Sequence, residues 1–168
     1  SEYIISVEDV LCYQKKNREK NPLPPFFPEV PMPNEETSAY QCWLSGIHLM
    51  QFRDPNADPR KYFERAIDLD PEFAPGYETL GECAINDGNF ELAEELLTKA
   101  VDKMNRLNTE HQSGRAYYLL GLAKRYLGKD HEAEHYFRKA AWSDDFVSAG
   151  MTEAARIGTK RGDYANGL

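Results

Sequence analysis

Five consecutive residues, His131-Glu132-Ala133-Glu134-His135, spell out H-E-x-x-H. Two imidazoles one helical turn apart can grip a zinc ion while the glutamate takes a proton from metal-bound water. Hydrolysis of that kind also needs a third ligand and a cleft, and the neighbouring sequence offers neither in recognisable form. Ala133 moreover holds the small-residue position of a repeated helix, which turns His131 and His135 toward the outer surface. The string therefore reads as a solvated helix face, with a zinc hydrolase as the remote alternative. The chain contains no G-x-S-x-G, no P-loop and no G-x-G-x-x-G, and helical repeats lack the strand ends on which those motifs depend. No catalytic, cofactor-binding or metal residue is expected, and no cofactor.

The elements that carry the string recur. Gly46, Gly81 and Gly121 are each followed nineteen or twenty residues later by Ala66, Ala100 and Ala140. Tyr77, Leu80, Gly81 and Ala84 align with Tyr117, Leu120, Gly121 and Lys124, and with Cys42, Ser45, Gly46 and Leu49; these positions define a first helix. Ala93, Leu97 and Ala100 align with Ala133, Phe137 and Ala140, and with Pro59, Phe63 and Ala66, at the i, i+4, i+7 spacing of one face of a second helix. Small residues where two helices cross let the backbones approach while large neighbours fill the space beside them. A period near 34 residues marks helix-turn-helix repeats that bury their apolar faces only by stacking.

Turn signals agree. Gly88, Gly128 and Gly162 stand where a first helix stops in a left-handed cap, Asn89 and Asp130 can cap the following helix, and Asp58-Pro59 opens the second helix of the first pair. Pro71 is expected to stop one helix and start the next. The second helix of the second pair should run through Lys103-Met104-Asn105, and a fourth first-helix is expected over about 147–160, its partner cut off at Leu168.

These residues resemble the tetratricopeptide repeat, over about residues 39–168; half-a-TPR and Sel1-like repeats share much of the pattern. Tyr117-Leu120-Gly121-Ala133-Phe137-Ala140 and Tyr77-Leu80-Gly81-Ala93-Leu97-Ala100 carry the match. Ser45 in place of leucine and Lys124 in place of an aromatic depart from it. The resemblance implies an all-α fold, a right-handed superhelix of antiparallel helix pairs with about three and a half repeats. It also implies a concave groove, lined by the first helices, that holds a peptide or partner protein. If Gly46, Gly81, Gly121 and Ala155 share a register, the positions three before and one after them point inward: Trp43 and Ile47, Glu78 and Glu82, Tyr118 and Leu122, Thr152 and Arg156. Tyr40, Leu44, Asn86, Arg115, Arg125 and Tyr126 extend that surface. Trp43 and Tyr118 also fit a plain core role, since apolar residues at helical spacing usually pack inside. Members of the family that clamp the carboxylate end of chaperone tails use Lys, Asn and Arg at positions occupied here by Trp43, Ile47, Thr79, Arg115 and Leu119. Arg115 alone is compatible, so a chaperone tail is not the expected ligand.

A net charge of −8 and a pI near 5.1 argue against a nucleic-acid partner, which requires clustered Lys and Arg. The charges are nevertheless uneven: Lys124-Arg125 and Arg156, Lys160 and Arg161 sit on later first-helices, Glu78 and Glu82 on the second. That distribution reads as a solvated face or as a groove with an acidic stretch beside a basic one. No run reaches the length of a membrane span. Cys12, Cys42 and Cys83, far apart and odd in number, fit thiols in a reducing compartment, so a cytoplasmic setting is expected. The expectation is a non-catalytic interaction scaffold, a piece of a larger multidomain protein; the alternative is the helical accessory region of a larger enzyme, one acting on carbohydrate by analogy. Self-association through an open fourth repeat is a further expectation.

Residues 1–38 stand outside the repeat. Ile4, Ile5, Val7, Val10 and Leu11 followed by a polar run to Lys20 predict a helix capped near Ser6 or Asp9. Six prolines between Pro22 and Pro33 then exclude regular helix and favour extended chain. Phe26, Phe27, Val30 and Met32 are too apolar for a pure spacer, and are expected to cap the first repeat or lie along the groove.

Overall fold

The computed structural model describes residues 4–7, 11–14, 32–35, 37–52, 58–107 and 113–162. They fall in two compact units, Ser1–Val30 and Pro31–Leu168. In the first, β1 (Ile4–Val7) and β2 (Leu11–Gln14) pair antiparallel, with Ile4 opposite Gln14 and Val7 opposite Leu11. A hairpin thus stands where the apolar cluster predicts a helix. The β-branched Ile4, Ile5 and Val7 lose rotamer freedom against a preceding helical turn but fit a pleated strand, and antiparallel pairing satisfies their backbone groups. The predicted packing of Phe26, Phe27 and Val30 lies outside the described residues; Met32 is described and stands exposed.

The second unit contains seven α-helices among its described residues: α1 (Ala39–Phe52), α2 (Arg60–Leu69), α3 (Ala74–Asn86), α4 (Phe90–Leu107), α5 (Arg115–Tyr126), α6 (Asp130–Ala140) and α7 (Val147–Lys160). Each helix packs on the next in sequence, and α3 also touches α5. Side-chain volumes explain the pairing. A Cβ added to Gly46 would lie 2.5 Å from the Phe63 ring, one on Gly81 2.5 Å from Leu97, and one on Gly121 2.7 Å from Phe137. Each large side chain of a second helix therefore occupies the space vacated by the first helix's glycine. Ala66, Ala93, Ala100, Ala133 and Ala140 are fully buried at the same crossings. Burial is distributed along the unit: one cluster spans α3 to α6 around Leu97, Tyr117 and Leu120, and the next joins Ala133 and Phe137 to Ala154 and Ile157 of α7.

The helix ends follow local chemistry. Gly88, Gly128 and Gly162 have φ of 77°, 76° and 80°, values that L side chains avoid and glycine adopts freely. The Asn89 N–H donates to the Ala84 carbonyl and Gly88 N–H to Ile85, the paired bonds that close a helix C-terminus. Asn89 also accepts from Leu92 N–H, and Asp58 from Arg60 N–H, as capping requires. Asp130 does not cap α6: it is the helix's first residue and accepts from Lys160 Nζ instead, at 2.7 Å. Pro71 stops α2 but lies in the turn, and Pro75 is the proline in the first turn of α3.

The α6–α7 contact leaves no room for a side chain. A Cβ on Gly150 would sit 2.4 Å from the Phe137 carbonyl oxygen, and a backbone oxygen in a helix cannot rotate aside. Gly150→Ala is expected to displace α7 and cost about 2 kcal/mol, read as a lowered urea midpoint; an unchanged midpoint would mean that α7 does not lie this close to α6.

Candidate binding face on the first helix of each pair

On α5, Arg115, Tyr118, Leu122 and Arg125 recur at spacings of three, four and three, which puts them on one helical face. Together with positions on α1, α3 and α7 they form a row of contacts between successive pairs. At the α1–α3 seam Trp43 Nε1–H donates to Thr79 Oγ1 at 2.8 Å, and the Thr79 hydroxyl donates in turn to the Pro75 carbonyl at 2.5 Å. A hydroxyl can serve both bonds because it is donor and acceptor together, and Thr79 is buried. Phe73 meets the indole edge-on, centroids 6.2 Å apart, and Tyr40 lies 5.8 Å away on the same helix.

At the α3–α5 seam Arg115 divides its guanidinium between Glu78 at 2.7 Å and Glu82 at 2.5 Å. Burial pushes the Glu78 carboxyl above its usual range even with Arg115 beside it. For Arg115 burial acts downward, but the two carboxylates outweigh it and the net direction is up. At the α5–α7 seam Arg125 pairs with the buried Glu153, which also accepts from Arg156 at 2.6 Å. Tyr118 packs between Phe137 and Phe146, with centroids 5.6 and 5.5 Å away, and Leu122 rests on the Phe137–Ile157 cluster. At the end of α5, Tyr126 stacks on Phe90 at 4.5 Å while the Arg125 guanidinium lies 5.2 Å from its ring centre.

The structure therefore brings Trp43, Glu78, Glu82, Arg115, Tyr118, Leu122, Arg125 and Arg156 into seams between pairs. Trp43 and Tyr118 are part core, part surface, as is Ile47. Tyr40, Leu44 and Tyr126 are exposed, and Asn86 is exposed at the end of α3. Thr152 is exposed, its hydroxyl spent on the Ser148 carbonyl, and Glu153 is buried two positions before Ala155, as Thr79 and Leu119 are two before Gly81 and Gly121. The sequence reading did not single out Thr79, Phe90 or Glu153 as partners. A signal existed for the last, since Glu153 and Arg156 are an i, i+3 acid–base pair. None existed for Thr79 and Phe90, whose partners are distant in sequence.

Lys124 does not join Arg125 on this face. Its side chain is buried and donates to Glu94 at 2.7 Å and Glu132 at 2.6 Å, with the ammonium 5.5 Å from the Tyr136 ring centre. It takes the repeat's aromatic position with its methylene stem buried and its charge satisfied by two carboxylates. This arrangement also bears on the H-E-x-x-H string. Glu132 is held by Lys124, Glu134 by Arg138 and Arg161, and both His131 and His135 are exposed. Among the described residues no group of three or more His, Cys, Asp or Glu is placed to hold a metal ion, and no helix is long and apolar enough to cross a membrane.

Residues 72–141 match the family described as tetratricopeptide repeat. Solved structures with similar folds include MamA 41-end from Desulfovibrio magneticus RS-1, at 20% identity and TM-score 0.63 over 79% of this chain and 71% of that one. The pilF protein of Pseudomonas aeruginosa superposes with TM-score 0.66 at 18% identity, over 78% of this chain and 57% of that one. YrrB, described as a TPR protein with an unusual peptide-binding site, gives 0.64 at 16%, over 77% and 63%. Likeness at such identities speaks for the fold, a right-handed superhelix of antiparallel helix pairs. The glycine-under-Leu or glycine-under-Phe crossing recurs in all three helix pairs, and the second and third of them, within residues 72–141, match the tetratricopeptide repeat family.

Proposed function

We propose that this chain is a non-catalytic interaction module that holds a peptide or a partner domain on the face formed by α1, α3, α5 and α7, in a cytoplasmic setting suggested by its cysteine pattern. The observation that carries the reading is the convergence of Trp43 from α1 and Arg115, Tyr118 and Arg125 from α5 onto one row of inter-pair contacts. Aromatic and Arg side chains supply most of the binding energy of protein interfaces, and here ion pairs at Arg115 and Arg125, a hydrogen bond at Trp43 and ring packing at Tyr118 hold them in place before a partner arrives, which lowers the entropy lost on binding. YrrB, with its peptide-binding site on a similar fold, supports the same class of role.

The test uses exposed residues so that folding is spared. Wild-type chain immobilised against lysate of its source cells should retain specific proteins. A Tyr40→Ala, Arg156→Ala variant should retain about tenfold less, each truncated contact being worth about 1 kcal/mol or more. A His131→Ala, His135→Ala variant should retain as much as wild type. Equal retention by the first variant would move the binding face elsewhere, and retention by none would end the reading.

A further inference from the structure

The binding face changes character in three steps. Helix α1 contains no Asp, Glu, Lys or Arg, in a chain where 29% of residues are charged, and it leaves Tyr40 and Leu44 exposed. At the α3–α5 seam two carboxylates, Glu78 and Glu82, share the guanidinium of Arg115, so among the described residues one negative charge has no counter-charge there. The two acids stand one helical turn apart and repel each other. At the α5–α7 seam the ratio is reversed: Arg125 and Arg156 share the one carboxylate of Glu153. Arg156 keeps two thirds of its side chain exposed, and a guanidinium carries five N–H donors. The excess is uncharged, then negative, then positive.

We propose that the face takes an extended segment in which a Lys or Arg side chain stands between an apolar anchor and a carboxylate. The anchor lies on Tyr40 and Leu44, the cation on Glu78 and Glu82, and the carboxylate on Arg125 and Arg156. The inference rests on the peptide-binding reading above and adds the chemistry of the occupant. A partner cation supplies the charge that Arg115 alone cannot, and burial of Glu78, which already penalises its charged form, strengthens the attraction once water is displaced. Packed helices lie about 8–10 Å apart, and an extended chain advances about 3.3 Å per residue. Neighbouring subsites are therefore met by side chains roughly three residues apart.

The probe is a displayed library of random peptides, panned on the intact chain. Peptides selected by the wild type should share a basic residue with an apolar residue on one side and an acidic residue on the other. Selection on a Glu78→Gln, Glu82→Gln variant should keep the outer two and lose the basic one. A selected peptide with its basic residue replaced by Met should bind wild type about tenfold more weakly and this variant less than about twofold more weakly. Arg156→Gln, a change at an exposed side chain that leaves the fold untouched, should abolish only the acidic preference. Selected peptides without a central basic residue, or an unchanged basic preference in the glutamine variant, would overturn the charge order while leaving the binding reading in place. A library from which nothing is enriched would overturn both.

Discussion

Replacing Phe137 by alanine is expected to cost about 3–5 kcal/mol, the range for truncating a fully buried aromatic. Phe137 is wholly buried; its ring lies over Gly121, meets Tyr118 and shares a cluster with Ala154 and Ile157 of α7. The substitution opens a cavity at the point where three helices meet, so the loss falls first on the α6–α7 contact. In a stacked array stability is a sum of repeat and interface contributions, and urea unfolding followed by circular dichroism should show an early transition for α6 and α7 ahead of the remainder. A single transition with an unchanged midpoint would contradict the packing described. Phe137→Leu should cost only about 1 kcal/mol, because the preceding pair already uses leucine, Leu97, above Gly81. Gly121→Ala should instead be coupled to Phe137→Ala: the new methyl collides with the phenylalanine ring at 2.7 Å but part-fills the space left by an alanine, so that double substitution should be less damaging than the sum of the two.

The second large effect is expected at Lys124. Glu94→Ala leaves its buried ammonium with Glu132 alone and should cost about 3 kcal/mol, as breaking a buried pair does when one charge is stranded. Lys124→Met removes the buried charge itself and should stay within about 1 kcal/mol of wild type, since an apolar side chain of similar volume often replaces a buried ion without loss. The pair also sets a pH dependence. Lys124 and Lys129 hold the Glu94 carboxyl below its usual range, so its contribution is present above the ordinary glutamate value and fades as pH falls through the depressed folded value. Burial acts downward on Lys124, but Glu132 and Glu94 outweigh it and raise it above the ordinary lysine value. Its contribution is therefore present below that value and fades as pH rises through the raised one. Wild-type stability minus that of Lys124→Met, measured by urea midpoints across pH, should be flat near neutrality and fall below about pH 4 and above about pH 10. A difference independent of pH would show that the network carries no net stabilisation.

The helical repeat was legible from residue types because each local rule pointed the same way. Glycine and alanine at helix crossings, left-handed glycine caps, Asn89 and Asp58 at helix starts, and the extension of α4 through Asn105 all follow from short-range sterics and hydrogen bonding. The amino-terminal hairpin was not legible: Ile4 to Val7 is too short a run for helical and strand periods to be told apart, and the pairing that decides between them depends on contacts with Leu11 to Gln14. Asp130 illustrates the same limit on a single cap, since an acid at a helix start serves the helix or a distant lysine according to what the next repeat presents.

The composition of the face that α1, α3, α5 and α7 share was readable in outline, its bonding was not. Register placed Trp43, Glu78, Glu82, Tyr118 and Leu122 on one face, because helical geometry fixes direction once the crossing glycine is known. Which carboxylate meets which guanidinium depends on the stagger between successive pairs, a quantity set by how Phe137, Gly150 and Ile157 pack and not encoded in any one segment. That stagger joins Arg115 to two glutamates, joins two arginines to Glu153, and buries Lys124 away from Arg125, its neighbour in sequence. Local patterning thus specifies the helices and their apolar contacts, whereas long-range packing apportions the charges, because an ion pair forms only between side chains that the backbone has already brought within reach.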